Sequence, residues 1–454
     1  MNLRIYSGVS TSGLILITIL ILTIVSCKSE SPATTSETIF EIRQSLDKAG
    51  YDDIKVTSTP VNRGVTLNGT VASDGDKADI ESITRKKNAS ISVEDRIAVI
   101  PPPNTIEAQV VTQTETISTN YDVVRVFYAT DRKPSGGQPH LINYSGEESD
   151  NDAVALGTLE VSIPKDHDVG KIERPFSIWR FEFREDPNKQ IVLLNVSPKP
   201  EAEFFKELST RVAASANRQA FVFVHGFDVS FPDAARRTAQ IAYDLDFDGA
   251  PILYSWPSKG NIPGYPADEA EIEWTTPHLK QFLEKVAAQS QATNIYLIAH
   301  SIGARALTSA LSSIAIEHTG TQGMFNQLFL AAPDIKVGVF RHMADSFPQP
   351  VGHVTLYASS KDRALKASKR YHQDRRAGDS ADITVVPMVD TIDATAVDTE
   401  FGFVDSFLGH SYYAENRSVL TDIFNVMQRY NPPSMRFGMR PNKPAHPTYW
   451  IFKP

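Results

Sequence analysis

The feature that most constrains this chain is an alternation of short, almost wholly apolar runs with stretches of helical period. "AFVFVHG" is followed by a pattern from Pro232 through Ala234, Ala235, Thr238, Ile241 and Leu245, then by "PILYSW" and a pattern with Leu279, Phe282, Leu283 and Val286. "NIYLIA", a pattern with Leu307, Leu311 and Ile314, and the runs "QLFLAA", "HVTLYAS" and "DITVVPM" continue it, and a last helical pattern carries Leu420, Ile423, Phe424 and Met427. Strand-length runs without polar alternation must be covered on both faces. Intervening helices supply both covers, which predicts an α/β fold around a mostly parallel sheet. "DVVRVFYAT", "GTLEVSIP" and "QIVLLNV" predict earlier strands. In such sheets the active site lies beyond the carboxyl ends of the strands.

The rest of the 454 residues predicts further domains. The chain opens with Arg4 and a nearly unbroken apolar run from Leu14 to Val25, short for a membrane span but suited to a signal-peptide core. "IVSC" then resembles the bacterial lipobox, and the only cysteine, Cys27, falls where that motif is cleaved and lipidated. The resemblance implies a lipid-anchored, extracytoplasmic protein of the bacterial cell envelope. Lys28 in place of aspartate favours the outer membrane, facing the periplasm. An uncleaved N-terminal anchor helix is the simpler alternative. With no other cysteine, the folded part can hold no disulfide, thiol nucleophile or zinc-thiolate site, and no H-E-x-x-H pair suggests a metal. No cofactor is expected. The net charge of −9 argues against nucleic acid as a partner.

After the signal (1–26), residues 27–38 read as a Ser/Thr-rich tether. Residues 39–100 read as helix-strand-strand-helix-strand, with Ile39, Ile42 and Leu46 on one helical face, Gly50 ending it, and "GVTLNGTV" alternating as a strand. This order resembles the BON domain of bacterial envelope proteins, which implies phospholipid or envelope contact; a spacer without ligand is the alternative. A proline-led linker (101–120), the α/β unit (121–430) and a proline-rich tail of no evident role (431–454) follow.

Three features fall at strand ends in one sheet: "HGF" at 225–227, "AHSIG" at 299–303 and "ASSKD" at 358–362, and "GHSYY" precedes the last helix. That is the order oxyanion turn, Ser, Asp, His of an α/β-hydrolase. A serine on a tight strand-to-helix turn needs small flanking residues, so Ala299 in place of glycine is a mild departure. Ser301 attacks only if a base takes its proton, and His410 is the candidate, with His372 and His446 as rivals. Asp362 is the favoured acid on strand order; Asp334 and Asp393 are alternatives. Backbone N–H groups of Phe227 and Ile302 would hold the oxyanion. His225 and His300 read as structural neighbours or gate-lining.

Together "VRVFYATDRKPSG", "FVHGFDVSFPDAARR", "LYSWPSKG", "LIAHSIGARAL", "LAAPDI", "LYASSKDRALKAS" and "GHSYY" resemble a bacterial α/β-hydrolase family of uncharacterised function, grouped with esterases and lipases. The resemblance implies a serine hydrolase with carboxylester chemistry on a small-molecule or lipid ester, and no particular substrate. Amide, thioester or acyl-transfer chemistry would use the same groups. A non-catalytic envelope protein, using this fold as a scaffold, is the alternative from another class. The basic stretch 361–376, with seven Lys or Arg, reads first as a solvated helix face and second as a site for an anionic substrate.

Two acyl chains or more on Cys27 would anchor the chain firmly. Metabolic palmitate should therefore label the membrane-fraction protein and be lost, with membrane retention, in Cys27→Ser; a variant still labelled would refute the lipobox reading.

Overall fold

The computed structural model describes residues 33–51, 54–58, 64–71, 74–87, 92–99, 120–138, 141–173, 185–259, 265–318, 323–397, 417–443 and 448–453. The chain divides into two compact units, Met1–Thr112 and Gln113–Pro454. Cys27 and the apolar run before it lie outside the described residues. No helix among those described is long and apolar enough to cross a membrane.

The first unit contains α1 (Ala33–Lys48), β1 (Lys55–Ser58), β2 (Val65–Val71), α2 (Asp74–Lys87) and β3 (Val93–Val99), the element order read from the sequence. β2 pairs antiparallel with β1 and parallel with β3. Val65, Leu67 and Val71 bury against Ile42 and Leu46 of α1 and Ile80 of α2. Gly50, at φ +86°, ends α1 as expected. α1 starts inside the stretch read as tether, because adding polar residues to a nucleated helix costs little.

In the second unit the strands are β4 (Tyr121–Thr130), β5 (Arg132–Gln138), β6 (Leu141–Glu148), β7 (Ala155–Pro164), β8 (Val192–Pro198), β9 (Gln219–Val224), β10 (Ala250–Ser255), β11 (Asn294–His300), β12 (Phe325–Ala331), β13 (Val351–Ala358), β14 (Val389–Asp393), β15 (Met439–Pro441) and β16 (Trp450–Phe452). They form one sheet in the order β15-β16-β14-β13-β12-β11-β9-β10-β4-β7-β8-β6-β5. From β4 through β10, β9, β11, β12, β13 and β14 to β16 all neighbours are parallel. β7 is antiparallel to both β4 and β8, and hairpins close the two edges.

The helices are α3 (Glu201–Ala214), α4 (Phe231–Asp244), α5 (Tyr265–Gln289), α6 (Gly303–Glu317), α7 (Val337–Ala344), α8 (Arg363–His372) and α9 (Arg417–Gln428). Alternate residues of the central strands feed two cores. Val222 and Leu297 pack with Phe204 of α3, Phe282 of α5 and Leu307 of α6, whereas Phe223 and Ile298 pack with Ala235 of α4 and Ile423 of α9. Each such apolar side chain stabilises by about 1.5–3 kcal/mol, more than a surface ion pair of at most about 1 kcal/mol. Double-sided burial therefore holds the sheet.

Two segments differ from expectation. "DITVVPM" is not a strand: Pro387 lacks an N–H and Met388 has φ +63°, so regular pairing starts only at Val389. The tail beyond 430 supplies the last two strands, and Arg436 pins it. That buried side chain donates to Asp390 Oδ2 at 2.6 Å, Thr355 Oγ1 at 3.2 Å and the Asn431 carbonyl at 2.9 Å.

One clamp ties the loop after β7 to the end of α4. His167 Nδ1 lies 2.9 Å from Glu173 and Nε2 2.8 Å from Asp244, with both His167 and Asp244 side chains buried. Burial alone would lower the histidine pKa, but the hydrogen bonds to Asp244 and Glu173 outweigh it and raise the value to about 9. Because this exceeds the unfolded value of about 6.5, the stabilisation is complete below about pH 6.5 and is lost as pH rises through about 9. Urea midpoints should fall between pH 7 and 10, and His167→Gln should flatten that fall; an identical slope in the variant would exclude the clamp as its source.

Candidate active site

β11 runs directly into Ser301, and α6 begins two residues later. Ser301 has φ +54°, a left-handed conformation that costs a non-glycine residue about 1–2 kcal/mol. Backbone bonds hold it there. Its N–H donates to the Ala331 carbonyl at 3.0 Å, and its own carbonyl accepts from Ala304 and Asp334 N–H, both at 3.1 Å. The turn makes Ser301 a buried residue at the carboxyl end of the sheet, followed by Ile302 at the start of α6.

The flanking small residues have different reasons. A Cβ on Gly303 would lie 2.1 Å from the His225 carbonyl oxygen. Ala299, by contrast, points its methyl into the core beneath α6, which accepts it. The departure from glycine there therefore costs nothing that the packing does not absorb.

Across from Ser301 lies the turn after β9. A Cβ on Gly226 would sit 2.9 Å from Ser301 Cβ and 2.6 Å from His300 Nδ1, so this turn and the serine meet in van der Waals contact. Phe227 follows, then Asp228 at φ +58° reverses the chain. His225 is buried, stacked on Trp256 with ring centroids 5.1 Å apart. Burial, and then the Arg132 charge, push its pKa well below the ordinary range. Arg132 itself is buried at the start of β5. Burial lowers it to about 10, and the nearby Asp131 and Asp268 oppose that, so it stays a cation at neutral pH.

The acids are placed as follows. Asp362, buried beyond β13, caps α8 by accepting the Leu365 N–H at 2.9 Å. Asp334, buried beyond β12, accepts from Ser368 Oγ at 2.8 Å and pairs with Arg376 Nε at 3.3 Å. Asp393 ends β14 and accepts from Thr395 N–H at 3.0 Å and Thr395 Oγ1 at 2.6 Å, the bonds of a local turn. His410 and His446 lie outside the described residues. His372 ends α8 with Nε2 at 3.3 Å from Glu269, which also pairs with Arg305 at 2.9 Å. Burial and then Arg376 lower its pKa. Ser301, Gly226, Phe227, Ile302 and Asp334 are thus assembled in one place, and Asp362 follows the next strand but one.

The basic stretch is partly spent on carboxylates: Lys369 on Asp379, Arg375 on Asp382 and Arg376 on Asp334. Among the described residues, Glu284, Glu317 and His318 could gather round a cation, but Lys280 already pairs with both glutamates. That cluster sits at the far end of α6 from Ser301, about 20 Å along the helix. Sequence reasoning missed Arg132, although "ATDRKPSG" was singled out; its only signal was a lone arginine directly after an apolar strand.

The collision at Gly303 is with backbone, which cannot swing aside. Gly303→Ala should therefore destabilise by about 1–3 kcal/mol. Gly338→Ala is the control, since its Cβ would meet nothing within 4 Å. Equal urea midpoints for the two variants would disprove the close approach.

No curated protein matches the chain. Solved structures similar to it include an arylesterase at 9% identity (66% of this chain, 87% of that one, TM-score 0.28). Phospholipase PlaB from Legionella pneumophila, in complex with thio-NAD, is 10% identical over 52% of this chain and 67% of that one, with a TM-score of 0.26. Carboxyl esterase 2 from the mycorrhizal fungus Tuber melanosporum is 9% identical over 70% and 90%, with a TM-score of 0.27. Likeness at this level speaks to neither substrate nor mechanism. Residues 200–428, half of the chain and the part that carries β9 to α9, match the family described as alpha/beta hydrolase of unknown function (DUF900), and the chain belongs to that family.

Proposed function

We propose that this protein is a serine hydrolase acting on carboxylic esters through an acyl-enzyme. The observation that carries the proposal is the Ser301 turn: a left-handed serine between a buried strand and a helix N-terminus, with Gly226 packed against it. Ser301 Oγ attacks the acyl carbon while His410 takes its proton. His410 then returns that proton to the departing alkoxide. Water repeats the sequence on the acyl-enzyme and frees Ser301. Asp362 orients His410, and the N–H groups of Phe227 and Ile302 hold the oxyanion. The partnership of Asp334 with Arg376 and Ser368 favours Asp362 over it. His410 is assigned from its position before α9, whereas His372 is set against Glu269.

The proposal extends to location. Lipidation at Cys27 would hold the hydrolase at the outer membrane, facing the periplasm. The unit read as BON-like would contact phospholipid or another envelope component, and its helix-strand-strand-helix-strand order supports that reading.

Ser301→Ala should lower kcat on short p-nitrophenyl esters by about 10³-fold or more. A fluorophosphonate should label the natural protein at Ser301 alone. Retained activity in the variant, or folded protein that takes no label, would instead favour a non-catalytic scaffold.

A further inference from the structure

The proposed oxyanion turn does not hold itself. The five residues after β9, His225 to Val229, make a loop with one glycine and one left-handed aspartate, and neither feature decides which way the Gly226–Phe227 peptide faces. Arg132, on another strand, supplies that constraint. Its Nη2 lies 3.2 Å from His225 Nε2 at the start of the loop and donates to the Val229 carbonyl at 2.7 Å at its end. Nη1 donates to the carbonyls of Ser145 at 3.1 Å and Ser258 at 3.2 Å, and Nε to Ser255 Oγ at 2.8 Å. One planar fork thus joins the loop to the hairpin on one side and to the segment after β10 on the other.

The chemistry of the fork fixes more than position. An arginine only donates, so His225 Nε2 must accept and carry no proton. Ser255 Oγ, 3.2 Å from the same nitrogen, accepts from Arg132 Nε and can turn its own hydrogen toward the imidazole. The histidine proton is then on Nδ1, which lies 2.8 Å from the Gly226 carbonyl and donates to it. In a trans peptide, C=O and the following N–H point in opposite directions. Turning the Gly226 carbonyl toward His225 therefore turns the Phe227 N–H away from it. Trp256 Nε1 secures the preceding peptide through the His225 carbonyl at 2.8 Å.

We infer that Arg132 is a positioning residue for the reaction: through the Nδ1–H tautomer of His225 it orients the Gly226–Phe227 peptide so that the Phe227 N–H serves the oxyanion. The inference rests on the serine-hydrolase reading above. Because the effect falls on the tetrahedral state, it separates from ordinary stability. Lysine keeps the charge of arginine but cannot reproduce the fork.

The test uses the full-length protein, Arg132→Lys, and sites counted by exhaustive fluorophosphonate labelling. Per labelled site, kcat should fall about 10- to 100-fold while KM changes less than about threefold. A trifluoromethyl ketone, which forms an oxyanion on Ser301, should lose affinity by the same factor as kcat/KM. Lower thermal stability with unchanged kcat per site and unchanged ketone affinity would show a purely structural role and overturn the inference. Should Arg132→Lys fail to fold, Ser255→Ala removes one acceptor of the fork. It should lower kcat and ketone affinity in parallel, and no change in either would overturn the inference equally. Full activity in Ser301→Ala would overturn the serine-hydrolase reading itself, whereas an essential Ser301 with an indifferent Arg132 would overturn this inference alone.

Discussion

The site depends on β9 and β11 lying side by side in register. Val224 pairs with Ala299, so His225 leaves the sheet beside His300, the last residue of β11, and Ser301 leaves next. The chain then departs from these neighbours in opposite directions. β9 leads through α4 to β10 on one side, and β11 leads through α6 to β12 on the other. Since α4 and α6 bury in different cores, the two connections diverge above the sheet and open a crevice between the strand ends. Ser301 and the Gly226 turn are the two lips of that crevice.

Two local costs are concentrated there. Ser301 holds an unfavourable backbone angle, and Arg132 holds a charge out of water. Three backbone hydrogen bonds offset the first, and the neighbouring strand β12 supplies one of their carbonyls. The second is tolerable because every nitrogen of the guanidinium meets an acceptor or a lone pair, and Asp131 and Asp268 lie near enough to oppose the loss of its proton. Removing one partner would leave the others buried and unmatched, which makes the arrangement rigid.

Much of the fold was legible in order along the chain. Unbroken apolar runs such as "AFVFV" and "NIYLI" became strands buried on both faces, because only such strands can hide every side chain. Edges were less legible. "RKPSGGQ" carries loop residues and yet forms β5, since an edge strand tolerates proline and glycine. "DITVVPM" carries strand residues and is not a strand, since Pro387 and Met388 break the ladder. The proline-rich tail showed no period, and its two short strands depend on a neighbour already in place and on Arg436.

Sequence alone determined that a parallel sheet forms, that Ser301 stands on a tight turn at its carboxyl edge, and that glycine must follow two residues later. These follow from local periodicity and backbone geometry, which neighbouring residues impose on one another. Tertiary structure decided why alanine is admitted at 299, which carbonyl forbids a side chain at 303, and that Arg132 reaches His225 from 93 residues away. Those are contacts between segments distant in the chain, and no local pattern records which buried donor will meet which acceptor.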